Sequence, residues 1–186
     1  MIKASKYTTY HSTILSALRR YTAQYQELLQ EVENYQPESV SPNTDIDFAY
    51  FERFGFSVDE SRMVVILLSH NFIEALANFN LALQTNEEVF QLLESASVIE
   101  KWATIPRLFV PDYELPKGEQ IYQDLKLLVT RRNAITHMKP EIVVDGLRMH
   151  KGNVPKGIRN EHKFVMNCVS LPLRLLKNLG KYDRCL

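Results

Sequence analysis

An arginine, an asparagine and a histidine lie close together in the run Arg132-Asn133-Ala134-Ile135-Thr136-His137. The imidazole of histidine titrates near neutral pH, so it is suited to proton transfer. The planar guanidinium of arginine binds two phosphate oxygens at once. The run therefore carries the residue types for proton transfer beside a bound phosphate.

The helix predicted to carry this run has an apolar stripe that Arg132 interrupts. The stripe consists of Ile121, Leu125, Leu128 and Ile135, and Arg132 occupies the position between the last two. A cation in an apolar register is costly unless it is paired or faces a cleft. At about 100° per residue Asn133 and His137 share a face, whereas Arg132 and His137 lie roughly 140° apart. One helix does not bring all three groups together, but a groove shared with a second copy of the chain would.

The run resembles the signature of the HEPN superfamily (higher eukaryotes and prokaryotes nucleotide-binding domains), in which four to six residues separate an arginine from a histidine. An asparagine often follows that arginine, as Asn133 follows Arg132; Arg131 also fits the spacing but lacks the asparagine. With 11 Arg, 5 His and 11 Asn in 186 residues, chance gives roughly 0.3 Arg-x4-His pairs, and roughly 0.02 with the asparagine required. The alternative is a helix-end cation favoured by the helix dipole, with His137 as a capping or surface histidine.

The resemblance implies a small helical bundle, usually dimeric, and in many members a metal-independent endoribonuclease of toxin–antitoxin, phage-defence or RNA-processing systems. It implies that His137 transfers a proton, Arg132 stabilises the phosphorane, and Asn133 orients the histidine or contacts phosphate. The RNA 2′-hydroxyl would attack phosphorus and leave a 2′,3′-cyclic phosphate and a 5′-hydroxyl, with no metal or other cofactor. A polar residue from another helix, Asn71 or Glu74, would support the motif.

The other candidates come from the polar and basic residues around the motif. We expect five basic residues to contact RNA: Arg131, Lys139, Lys151, Lys156 and Arg159. The alternative for those after the motif is that they belong to a solvated loop without a ligand. His70 and Glu74 have the i, i+4 spacing of metal ligands, but no third ligand is evident, so we expect no metal. Trp102 and Cys168 are expected in the core.

Helical periodicity dominates the chain and predicts an all-α bundle of four to five main helices in a single domain, residues 1–186. The apolar stripe of the first helix covers roughly 10–35, and the prolines that follow predict a loop over 36–44. Capping boxes predict helix starts at Ser57 and Thr85. The remaining expected elements are a central helix from 57 to about 83, a short helix and packed connection over 98–109, helices over 117–138 and 160–179, and a possible hairpin over 141–149.

Composition limits the class of protein. The 22 basic and 22 acidic residues give a net charge of +0, which argues against a uniformly basic coat for nucleic acid or membrane. The charge is polarised, however: residues 1–26 hold 4 basic and no acidic residues, 27–125 hold 5 and 18, and 126–186 hold 13 and 4. No apolar run is long enough to cross a bilayer and only two cysteines occur, so we expect a cytoplasmic protein without membrane contact.

Two further functions remain open beside the ribonuclease. The first is a non-catalytic HEPN-like module that binds a nucleotide or a protein, because fold does not fix function. The second is a plain helical adaptor in which Arg132 and His137 are structural. The expected partners of the ribonuclease are RNA, a second copy of the chain and an antitoxin or other protein, for which the acidic middle of the chain offers a surface.

Overall fold

The computed structural model describes the backbone of residues 2–34, 45–137 and 156–182, and the side chains of 12–30, 58–137 and 159–182. Within these ranges the chain forms six α-helices and no strand: α1 (Ile2–Asn34), α2 (Asp45–Gln84), α3 (Glu87–Leu93), α4 (Val98–Ala103), α5 (Gln120–Thr136) and α6 (Lys156–Leu179). A 3-10 turn, Ile105–Leu108, follows α4. The predicted all-α class is confirmed, with four long helices and two short ones. The expected loop at 36–44 and hairpin at 141–149 lie outside the described residues.

Helix α2 is the centre of the bundle and contacts all five other α-helices of the described part of the chain. It begins at Asp45, so the predicted start at Ser57 is wrong. Serine and glutamate three residues apart are compatible with a helix interior, and Gly55 is tolerated there at a cost of about 1 kcal/mol. Its segment Val58–Gln84 is long and apolar enough to cross a membrane by length and composition. The core helix of a helical bundle meets the same criterion, and 39% of the apolar window is buried inside this one.

Helix α1 lies along α2 and buries the stripe that its sequence predicts. Ile14, Tyr21, Tyr25 and Leu28 are all buried, and the Ser61 hydroxyl of α2 donates to Gln24 Oε1 at 2.5 Å. This contact joins the two helices beside a cluster formed by Tyr21, Leu28 and residues of α2 and α6.

The short helices are fixed by their caps. The Asn86 side chain accepts from the Val89 amide at 2.9 Å, so α3 begins one residue later than the predicted Thr85 box. Ser97 and Glu100 form a capping box at the start of α4 that the sequence reading missed. This box presents Trp102 to the core, where its indole N–H donates to the Ile73 carbonyl at 3.1 Å.

The main core lies where α2, α4, α5 and α6 meet. Its fully buried members include Ile73, Trp102, Leu125, Leu128 and Leu171. Tyr113 is also buried there, and its hydroxyl donates to the Trp102 carbonyl at 2.6 Å. Trp102 and Cys168 are thus core residues, as predicted, and Tyr113 is a further one. Burial raises the pKa of the Cys168 thiol well above its ordinary value, so this core cysteine has no thiolate character at neutral pH.

Candidate functional site

Helix α5 carries the motif at its carboxyl end. Leu125 and Leu128 are fully buried in the main core and Ile135 is partly buried against it, so the predicted apolar stripe is confirmed. The helix ends at Thr136, two residues before the predicted Met138, and His137 caps it. The Thr136 hydroxyl donates back to the Arg132 carbonyl at 3.1 Å, in the last turn of the helix.

Two ion pairs join α5 to α6 on either side of its centre. Asp124 accepts from Arg174 at 2.5 Å, and Arg131 is paired with Glu161. Glu161 also accepts from Arg62 of α2 at 3.1 Å. One carboxylate therefore holds two guanidinium groups from two helices, and this fixes the end of α5 one residue before the motif.

Arg131 and Arg132 are neighbours with different surroundings. Arg131 has the carboxylate of Glu161 beside it and lies over the ring of Phe164, 5.9 Å from the ring centre. Arg132 is partly exposed and pairs with no acidic side chain among the described residues. Its guanidinium donates to Asn133 Oδ1 at 3.0 Å. Of the two arginines, Arg132 is the one whose charge is left for a ligand.

Asn133 and His137 are both exposed on the outer side of α5. The His137 amide donates to the Asn133 carbonyl at 3.0 Å, in the last turn of the helix. Within the described residues, no side-chain contact joins His137 to Arg132. With the two side chains roughly 140° apart on an ideal helix, a second copy of the chain is needed to bring them to a single point.

Helix α2 contributes a buried histidine close to the motif. His70 is 4% exposed. Its pKa is lowered first by burial and then by the positive charge of Arg132, against the opposing charge of Glu74. The sequence predicted a supporting role for Asn71 or Glu74. Asn71 is exposed, and His70 is a further α2 residue that the charge of Arg132 affects. The available signal for His70 was its i, i+4 spacing from Glu74 in the sequence.

Glu74 lies between His70 and Lys101. Its Oε2 is 4.0 Å from His70 Nδ1, and its Oε1 is 3.7 Å from the Nζ of Lys101, which is buried. His70 Nδ1 has no hydrogen-bond partner in the described part of the chain. No third His, Cys, Asp or Glu side chain joins His70 and Glu74 there. Glu74 is therefore paired with the buried Lys101 ammonium and lies close to the buried imidazole of His70.

Of the remaining residues predicted to contact RNA, the structure describes the side chain of Arg159. Lys139 and Lys151 lie outside the described residues, as does the side chain of Lys156 at the start of α6. Arg159 is exposed, and its charge opposes the rise that burial causes in the pKa of Tyr25.

His162, in the same basic stretch, is stacked on Tyr25 with ring centres 3.9 Å apart and planes inclined by 7°. Its Nδ1 is 3.2 Å from the Tyr21 hydroxyl. Burial lowers its pKa. His162 therefore packs α6 against α1 and is a structural residue, whereas Arg159 beside it remains open to solvent.

A groove between α1 and α2 reaches the motif at Ile135. It has a volume of about 550 Å³ and is lined on the α1 side by Thr13, Ser16, Ala17 and Arg20. The sequence reading missed this groove because its walls come from three helices far apart in the chain. The polarised charge was the available signal, since the α1 wall belongs to the basic stretch 1–26.

The arrangement can bind an anion at Arg132 and exchange a proton with solvent or substrate at His137. Arg131, Glu161 and Arg62 hold that end of α5 in place. No family model, no curated protein and no solved structure matches the chain, so the resemblance to the HEPN superfamily rests on the motif and the helical architecture.

Proposed function

We propose that this protein is a metal-independent endoribonuclease of the HEPN type. One observation carries the proposal: Arg132 stands at the exposed end of α5 with no acidic partner among the described residues, while Arg131 beside it is neutralised by Glu161. A guanidinium without an acidic partner is suited to binding a phosphodiester, and an exposed histidine in the same motif is suited to proton transfer once a second copy of the chain brings the two together.

The reaction requires no nucleophile other than the RNA itself. A base takes the proton of the 2′-hydroxyl, the 2′-oxygen bonds to phosphorus, and the bond from phosphorus to the 5′-oxygen breaks as that oxygen receives a proton. His137 serves as the proton-transfer group, and Arg132 stabilises the negative charge on the phosphorane oxygens. Asn133 holds the guanidinium through the bond at 3.0 Å. The products are a 2′,3′-cyclic phosphate and a 5′-hydroxyl.

The active form is a homodimer in this proposal. Arg132 and His137 lie roughly 140° apart on their helix, and no side-chain contact joins them within the described residues. Two copies of α5 facing each other would place the histidine of one copy opposite the arginine of the other. In a cell, such a cytoplasmic ribonuclease would act as a toxin or phage-defence component held inactive by a partner protein.

The separation of Arg132 from His137 within one chain also favours a second candidate. A non-catalytic module that binds a nucleotide or a protein partner needs the arginine but not the histidine. The two functions can be separated by removing the imidazole of His137. The ribonuclease would lose RNA cleavage, whereas the binding module would keep its affinity for its ligand.

The test uses purified protein and structured RNA in buffer with EDTA. We expect the parent to cleave the RNA and leave cyclic phosphate ends, and His137→Ala and Arg132→Ala to be at least about 100-fold slower, the low end of what a positioned proton-transfer group contributes. Arg107→Ala is the matched control, since Arg107 is an exposed arginine on the 3-10 turn outside the motif.

Cleavage by His137→Ala at the rate of the parent would exclude the proposed mechanism. RNA binding without cleavage by the parent protein, together with no growth defect on expression, would instead support the binding module. RNA cleavage that occurs without EDTA and stops when EDTA is added would show that the reaction requires a metal, and this would contradict the proposal.

A further inference from the structure

The groove between α1 and α2 is apolar inside and opens beside the motif. Its apolar lining comes from Ala17, Met63, Val64, Leu67, Leu68 and Ile135. Its volume of about 550 Å³ lies within the roughly 300–1,000 Å³ of typical small-molecule sites. Val64 is 46% exposed, which is unusual for a valine on the central helix of a bundle. The groove is thus a concave apolar surface that the described chain leaves uncovered.

Ile135 connects this groove to the proposed cleavage site. It lies between Asn133 and His137 in the motif and lines the groove with its side chain. It follows Arg132 by three residues, so the two side chains are roughly 60° apart around the helix and about one turn apart along it. A ligand whose phosphate is bound at Arg132 therefore has the mouth of the groove next to it.

The rim of the groove carries hydrogen-bond donors and positive charge. Ser16 and Arg20 of α1 line the groove and are exposed, and so is one carboxylate, that of Glu60 on α2. The segment 1–26 that supplies this wall has four basic and no acidic residues. Of these four basic residues Arg20 lines the groove, and on α5 Arg132 lies about one turn from Ile135, so guanidinium groups from α1 and α5 are both close to the apolar lining. This charge distribution fits a polyanion with apolar planar groups.

We propose that the groove binds an unpaired base of single-stranded RNA next to the phosphate held by Arg132; this inference rests on the proposed function. The aliphatic side chains contact the faces of the base, as apolar pockets for extruded bases do. Ser16 and Arg20 contact the base edge or the neighbouring phosphate. The groove would thereby select the nucleotide beside the cleaved bond.

The first test places a negative charge in the groove. Val64→Glu is compared with Leu173→Glu, which puts the same charge on a leucine of α6 that is 68% exposed and does not line the groove. Both are made in the His137→Ala background, and affinity for a fluorescent single-stranded RNA oligonucleotide is measured by anisotropy. We expect Val64→Glu to bind at least about tenfold more weakly and Leu173→Glu to bind as the parent does. Equal affinities for all three proteins overturn the proposal.

A second variant tests whether the groove selects the base beside the cleaved bond, and it leaves the charge of the groove unchanged. Ala17→Leu narrows the groove, and sequencing of the cleavage products then reports which base stands beside the cut. We expect a changed base preference with the α-helical circular dichroism retained, and an unchanged preference overturns the proposal. If the parent binds RNA with the expected dependence on Val64 but does not cleave it, the ribonuclease function fails and the base pocket stands.

Cleavage at full rate by Val64→Glu and Ala17→Leu, with unchanged base preference, gives the opposite result: the function stands and the base pocket fails. Sedimentation velocity tests the other possible occupant of the groove, which is a second copy of the chain. Self-association of the parent that Val64→Glu abolishes, with RNA affinity unchanged, would show that a second copy of the chain covers the groove and would overturn the base pocket.

Discussion

Replacement of Arg131 by alanine should destabilise the protein, although the same change at Arg132 should not. The Arg131 side chain is 28% exposed and that of its partner Glu161 is 17% exposed, so the pair is partly removed from water. An exposed ion pair contributes about 0–1 kcal/mol, whereas loss of one partner of a fully buried pair costs about 3–5 kcal/mol. In Arg131→Ala, Glu161 keeps its bond of 3.1 Å to Arg62 and is not left unpaired.

The expected loss therefore lies between these limits. The contact of Arg131 with Phe164 adds about 0.5–1 kcal/mol, and we expect Arg131→Ala to lower the free energy of unfolding by about 1–2 kcal/mol in total. For a chain of this length that corresponds to a fall of about 3–6 °C in melting temperature. Arg132→Ala should stay within about 0.5 kcal/mol of the parent, as surface substitutions usually do.

The measurement is urea unfolding followed by circular dichroism at 222 nm, with Glu161→Gln as a third variant. Glu161→Gln should lower the free energy of unfolding more than Arg131→Ala does, because it removes the negative charge that pairs with Arg62 as well as with Arg131. The effects of Glu161→Gln and Arg131→Ala should not add in the double variant. Equal stabilities of Arg131→Ala and Arg132→Ala would refute the division of the two arginines into a structural and a ligand-binding residue.

Two further predictions concern a histidine and a cap. Because burial lowers the pKa of His70 in the folded protein, the unfolded chain takes up a proton below pH about 6.5 before the folded protein does. The free energy of unfolding should therefore fall with decreasing pH by up to about 1.4 kcal/mol per pH unit, and His70→Gln should reduce this slope in urea titrations between pH 7 and 5. An unchanged slope in His70→Gln would contradict the interpretation that the His70 imidazole is buried and neutral in the folded protein. Ser97→Ala removes the capping box of α4 and should cost about 0.5–2 kcal/mol, measured by thermal unfolding against Ser95→Ala, a serine next to the same helix without a cap contact.

The helical class and the apolar stripes were predictable because they depend on local spacing. The stripe of α1 and the core positions Leu125 and Leu128 of α5 were correctly identified. Helix starts were less predictable, since the serine and glutamate pattern at Ser57 occurs inside α2 and the functioning box at Ser97 lies in a stretch of weak periodicity. A capping box depends on where the preceding residues go, and that is decided by packing.

The motif itself was visible in sequence, but the surroundings of its residues were not. Arg131 and Arg132 have the same side chain, and nothing local indicates that only Arg131 has a carboxylate partner. That partner, Glu161, lies 30 residues further along the chain. The relation of His70 to Arg132 and the groove at Ile135 likewise depend on how α2 packs against α5.

The double role of Glu161 affects how a mutational screen of this protein should be read. A selection for variants that lose activity would recover substitutions of Glu161 and Arg62 together with those of Arg132 and His137. Because one carboxylate joins three helices next to the motif, its loss would resemble the loss of a catalytic group even though it touches no substrate. Abundance of each variant, scored in parallel with activity, would separate the two classes: substitutions of Glu161 should lower the amount of protein, and those of His137 should not.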